Sequence, residues 1–88
     1  AMIWASDCEI CNKEVSEYSA FHLKYADKDA QILGLSIDGR QGQSDAEDFI
    51  ERNEVVFPSL IAEVETVARW YQIETGSQFI ATPSFVLI

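Results

Sequence analysis

Short runs that are apolar throughout alternate along this chain with longer runs that are apolar on one side only, and the alternation predicts its elements. Residues 1–4 (AMIW), 31–37 (QILGLSI) and 55–61 (VVFPSLI) have the length and continuity of buried strands. A last strand is expected over residues 84–88, reached through Thr82 and Pro83. From about Cys8, the residues Cys11, Val15, Tyr18, His22 and Tyr25 recur at steps of three and four, which is one face of an amphipathic helix. Glu9, Lys13, Glu17 and Lys24 fall on its outer face, and the polar residues 27–29 (DKD) break it. Asp38 and Gly39 end the second strand. Ser44 with Glu47 three residues later has the spacing of a capping box, predicting a helix to about Asn53 with Phe49 and Ile50 inward. Pro58 removes one ladder donor, so its strand is expected at an edge or starting at the proline. Residues 63–71 return to helical spacing, with Val64, Val67, Ala68 and Tyr71 on one side.

Strand and helix therefore alternate from end to end, which predicts an α/β fold of three layers, a mostly parallel sheet flanked by helices. With 88 residues, one small core is expected, burying somewhat over ~60% of the unfolded surface, so the chain reads as a single domain over 1–88. Its 48% hydrophobic and 11% aromatic content is that of a folded chain. The net charge of −9 would repel a phosphate backbone, so no nucleic-acid partner is expected. No run approaches the ~20 apolar residues of a membrane span, and the start lacks the basic and apolar regions of a signal peptide. Membrane association is expected only through a tether outside these residues. Because the chain opens on AMIW and closes on SFVLI, both ends read as interrupted strands, and terminal elements are expected to be missing.

Cys8 and Cys11, the only cysteines, are spaced C-x-x-C. A closed zinc site needs about four ligands, whereas the chain has two cysteines and a single histidine, His22. On one helix His22 would lie roughly 16 Å beyond Cys11, at ~1.5 Å per residue, too far to share an ion. As a staple, a disulfide closing so short a loop would constrain little of the unfolded chain. The active reading has a physical basis: at a helix N-terminus the Cys8 thiolate would meet unpaired N–H groups and the positive end of the helix dipole. Cys11, one turn further and on the apolar face, would resolve a mixed disulfide formed at Cys8. Asp7 and Glu9 flank Cys8 and oppose thiolate formation, which favours a reductant over a strong oxidant.

The stretch WASDCEICNKE resembles the W-x-x-x-C-x-x-C-x-x-E region of thioredoxin-fold thiol–disulfide oxidoreductases of the TlpA/ResA type. FPSLI and TPSFVLI resemble two later landmarks of that family, so the likeness runs nearly the whole chain. The resemblance implies a thioredoxin-like fold with a central helix–strand insert. It further implies a bacterial, extracytoplasmic reductant, tethered or exported and often serving cytochrome c maturation. By position, Cys8 and Cys11 become the redox pair, Glu14 the active-site carboxylate, and Pro83, preceded by Thr82, the cis-proline facing the cysteines. Three departures bear on substrate preference: Asp7 where a bulky residue is usual, Ile10 in place of proline, and a longer approach to Thr82 through ETGSQFIA.

Glu14 also has a reading of its own. It borders the buried stripe three residues after Cys11, where a partly buried carboxylate could accept the Cys11 proton; the alternative is a solvated glutamate paired with a lysine. His22, Trp4, Trp70 and Tyr71 read as packing residues, with Trp4 under the cysteine turn. Asp45, Glu47, Asp48 and Glu51 read as a solvated helix face. The expected activity is reduction of protein disulfides by dithiol–disulfide exchange, without cofactor or metal. An upstream thiol donor would resupply electrons to a monomer. Two alternatives remain. A peroxiredoxin-like peroxidase shares the fold, but its P-x-x-x-T-x-x-C pattern requires threonine where this chain has Ala5. A non-catalytic binding domain would carry the disulfide as a structural bond.

Overall fold

In the computed structural model, which describes residues 1–25 and 30–87, four short strands form one sheet flanked by three helices. Along the chain these are β1 (Met2–Trp4), α1 (Glu9–Tyr25), β2 (Gly34–Ser36), α2 (Gln43–Arg52), β3 (Ser59–Ile61), α3 (Val64–Thr75) and β4 (Ser84–Phe85). The strand order is β3-β2-β1-β4; β2 runs parallel to both β1 and β3, and β4 runs antiparallel to β1. This is the predicted α/β fold, with a mixed and mostly parallel sheet. Parallel neighbours need a crossover rather than a hairpin, and α1 and α2 supply the two crossovers.

The period of two along β1 distributes its side chains between the layers. Met2 and Trp4 join Cys11 and Val15 of α1 and Ala46 and Phe49 of α2 in one core. Ile3, facing the other way, packs with Val67 of α3 and with Val86. Hence α1 and α2 cover one face of the sheet and α3 the other, and all three β1 residues are buried. Trp4 stacks on Phe49 with ring centroids 4.3 Å apart. Trp70 and Tyr71 are partly buried against the second core, as expected of packing residues.

Several elements differ in extent from the sequence expectation. Only residues 34–36 of the run 31–37 pair as a strand, because the Ile32 N–H donates to His22 Nδ1 at 3.1 Å instead of to a neighbouring strand. His22 is thus a boundary histidine tying the end of α1 to the approach to β2. The capping box at Ser44 does not form. Gly42 caps α2 without a side-chain hydrogen bond, and its carbonyl accepts from Ala46 N–H at 2.9 Å. The helix begins early because the backbone at Gly42 lies close against Asp38, where a Cβ would come within 2.6 Å of the Asp38 carbonyl oxygen. Ser44 therefore falls inside the first turn. Pro58 does precede an edge strand: β3 begins at the next residue, and the Pro58 carbonyl accepts from Gly34 N–H at 2.8 Å. Helix α3 runs beyond the expected 63–71 to Thr75, where Gly76, at φ 73°, ends it in a left-handed cap. The polar break at 27–29 and the final residue of the expected last strand, Ile88, lie outside the described residues; β4 pairs over residues 84–85.

Candidate active site at the start of the first helix

The chain leaves β1 through a turn in which Cys8 N–H donates to the Ala5 carbonyl at 3.1 Å. The Cys8 carbonyl then accepts from Asn12 N–H at 3.0 Å, the first bond of the helical pattern. Cys8 thus stands immediately before α1, where first-turn N–H groups have no partners within the helix. One of them, on Cys11, donates to Cys8 Sγ at 3.1 Å. The two cysteines are joined as a disulfide, with Cα atoms 5.2 Å apart. They are not equivalent: Cys11 is 0% exposed and belongs to the core, whereas Cys8 is partly exposed and borders an open groove of about 760 Å³.

Val64 and Ala68 of α3, Ile37, Phe79, Ile80 and Thr82 line that groove together with Ala5, Asp7, Glu9 and Ile10. The Thr82 carbonyl oxygen lies 3.6 Å from Cys8 Sγ. A disulfide sulfur carries no hydrogen, so this contact becomes a hydrogen bond only when Cys8 is a thiol. The Thr82–Pro83 peptide is cis. The fold therefore brings Cys8, Cys11 and Thr82, with Pro83 beside it, to one place from opposite ends of the chain.

Glu14 is one turn beyond Cys11 and partly buried, and one oxygen of its carboxylate accepts from the Tyr18 hydroxyl at 3.2 Å. Burial raises the Tyr18 phenol above its ordinary pKa, and the negative charge of Glu14 and the hydrogen bond to it raise it further. The lysine pairing considered for Glu14 belongs instead to Glu9, which meets Lys13 at 3.2 Å in an exposed pair of small energetic consequence.

Two residues that the sequence reading did not place at the site hold the cysteine turn. Asp38, just after β2, accepts from Ser6 N–H at 3.2 and 3.1 Å with its two oxygens and from the Ser6 hydroxyl at 2.6 Å; the Ser36 hydroxyl donates to the same carboxylate. Asn12 donates to the carbonyls of Ser6 at 3.2 Å and Cys8 at 2.8 Å, while its own Oδ1 accepts from Arg52 at 2.9 Å and Asn53 at 3.1 Å. Every polar group of Ser6 is thereby engaged, and the turn is fastened both to the sheet and to the end of α2. The available signal was small: a polar residue at a strand's C-terminal end, and an asparagine directly after C-x-x-C. Among the described residues, no group of three or more His, Cys, Asp or Glu gathers as a metal site.

A cysteine pair at a helix N-terminus, on a mixed sheet covered by helices on both faces, defines a thioredoxin-like domain with a C-x-x-C disulfide. The chain belongs to the AhpC/TSA family, whose model matches residues 2–88. It is similar to sporulation thiol-disulfide oxidoreductase A of Bacillus subtilis (strain 168), with 26% identity over 73 residues, 82% of this chain and 44% of that protein. Its fold is similar to the crystal structure of StoA from Bacillus subtilis, with a TM-score of 0.72 and 23% identity, covering 93% of this chain and 57% of that one. The chain spans about half the length of these relatives.

Proposed function

We propose that this domain is a thiol–disulfide oxidoreductase that reduces disulfides in other proteins, with Cys8 as nucleophile and Cys11 as resolving thiol. The observation that carries the reading is the asymmetry of the pair. The Cys8 sulfur is accessible in an apolar groove and accepts the Cys11 N–H, while the Cys11 sulfur is enclosed. A backbone N–H aimed at sulfur, at the positive end of a helix, stabilises thiolate over thiol once the pair is reduced.

In the forward reaction the Cys8 thiolate attacks one sulfur of the substrate disulfide. That bond breaks, a mixed disulfide forms at Cys8, and the leaving thiolate takes up a proton. Cys11 gives up its proton and attacks Cys8 Sγ, releasing the second substrate thiol and leaving the Cys8–Cys11 disulfide. Two electrons pass to the substrate, and an upstream dithiol must return them. Glu14, a partly buried carboxylate one turn from Cys11, is assigned the Cys11 proton. The main chain at Thr82 and Pro83 is assigned to the substrate segment, since Thr82 already borders the groove beside Cys8. An extracytoplasmic site of action and service to cytochrome c maturation, which the family resemblance implies, belong to the same proposal. Partner proteins trapped on Cys8 in cells would test both.

The decisive test is trapping. Cys11→Ser should accumulate a mixed disulfide between Cys8 and substrate, and Cys8→Ser should abolish exchange. Mass spectrometry showing a trapped substrate adduct on Cys11 of the Cys8→Ser variant, with none on Cys8 of the Cys11→Ser variant, would reverse the two roles. The peroxidase alternative predicts hydrogen peroxide consumption by Cys8 with Cys11 present. The dithiol reading predicts that a protein disulfide is by far the better oxidant of the reduced pair.

A further inference from the structure

The groove beside Cys8 has two properties that the exchange chemistry does not require. Its floor and rim are apolar: Val64, Ala68 and Phe79 line it, and Ile10 and Ile80 stand at 52% and 87% exposure next to the reactive sulfur. Its charge has one sign. Asp7 and Glu9 both line it, and among the described residues no lysine, arginine or histidine does. Two cations beside this acidic edge already have partners, so Asp7 is left as its one carboxylate without a recorded ion pair among the described residues. Lys13 meets Glu9 from the outer face of α1, and Arg52 is held by Asn12 in an adjoining recess that it shares with Asp7, Asp45 and Asp48. The whole chain carries −9.

From these features we infer that the groove selects, among oxidised partner proteins, an extended segment bearing an apolar side chain and a lysine or arginine close to the attacked cysteine. The apolar side chain would cover Ile80 and the Val64–Ala68 face, removing hydrocarbon from water on both partners. The cationic side chain would lie against Asp7 and Glu9. Such exposed charges act weakly in contact but also steer encounter, so the preference should be strongest at low ionic strength. An acidic segment would be repelled twice, by the two carboxylates and by the Cys8 thiolate itself. Ile10 and the segment around Ile80 are two of the places where this chain departs from its family resemblance, and Asp7 is the third, so the selectivity belongs to this chain's own residues.

The inference rests on the proposed exchange reaction, and the experiment separates the two. The reduced full chain is mixed with disulfide-linked peptides identical except at the positions flanking one cysteine, Lys against Glu and Leu against Ser. A small uncharged aromatic disulfide serves as reference. At low salt the Lys peptide should oxidise the pair about 5- to 10-fold faster than the Glu peptide, and the ratio should approach one at high salt. The double variant Asp7→Asn with Glu9→Gln should cut the low-salt ratio at least by half, leaving the part due to the Cys8 thiolate, and Ile80→Ser should reduce the Leu-over-Ser preference. No reaction even with the uncharged disulfide would defeat the proposed function. Reaction with that disulfide but equal rates for Lys and Glu peptides, or for Leu and Ser peptides, would overturn this inference alone.

Discussion

At the scale of single residues, the cysteine turn is determined by polar groups that carry no sulfur. Asp38 collects the Ser6 N–H, the Ser6 hydroxyl and the Ser36 hydroxyl on one carboxylate. Asparagine in its place keeps the shape but offers a single acceptor oxygen, so at least one partly buried donor loses its partner, at about 1 to 3 kcal/mol. Asp38→Asn should therefore lower the urea midpoint and speed hydrogen exchange at the Ser6 amide; an unchanged Ser6 amide would show that the carboxylate does not hold the turn. The sequence presents Asp38 only as a strand terminator, because the two Ser6 donors that make it a fastening of the turn lie 32 residues earlier in the chain. The cysteines, by contrast, are legible because the chemistry depends on local spacing and on a helix start that the apolar period reveals. Tyr18 gives a separate check. Its folded pKa is raised, so the stability linked to it is present below the ordinary tyrosine range and is lost as pH rises through the folded value. Glu14→Gln should bring the Tyr18 phenol down toward its ordinary value, read by titration of its ring resonances. A phenol unmoved by that change would mean that Glu14 and Tyr18 do not interact in solution.

At the scale of elements, the sheet is narrow, and its close approaches matter more than its length. Gly34 pairs with Met2 on one side and Ser59 on the other, and a Cβ there would collide with the Ser59 hydroxyl and approach Trp4 Nε1 to 2.9 Å. Gly34→Ala is therefore expected to destabilise the fold by about 1 to 3 kcal/mol by overpacking, measured by denaturant unfolding. A neutral or stabilising result would mean the strands are less closely apposed than described. The apolar run around Gly34 announced a strand, but not that the Ile32 N–H would go to His22. Helix α2 shows the same limit. The Ser44 and Glu47 spacing is a genuine local signal, yet the chain folding back at Gly42 against Asp38 starts the helix ahead of the serine, and Gln43 donates to Glu47 at 3.0 Å instead. Local pattern sets the type of each element, and contacts with residues outside the element set its ends.

At the scale of the whole molecule, the alternation of strand and helix was enough to specify the layers, since a central strand buried on both faces demands cover from both sides. The crossover of β4 to the far edge of β1, which brings Thr82 to Cys8, depended on the family resemblance rather than on periodicity. This closure is what turns a C-x-x-C spacing into a site: one sulfur enclosed with the core, one opening onto a groove made by α3 and the segment before β4. The helix-end N–H groups favour thiolate at Cys8, while Asp7 and Glu9 oppose it, so the disulfide should be stable relative to that of a strong oxidant. The equilibrium redox potential of the Cys8–Cys11 pair, measured against a glutathione or dithiothreitol series, tests this balance most directly. The account predicts a value near ~−270 mV, at the reducing end of the range for dithiol proteins, whereas a value above roughly −180 mV would contradict it.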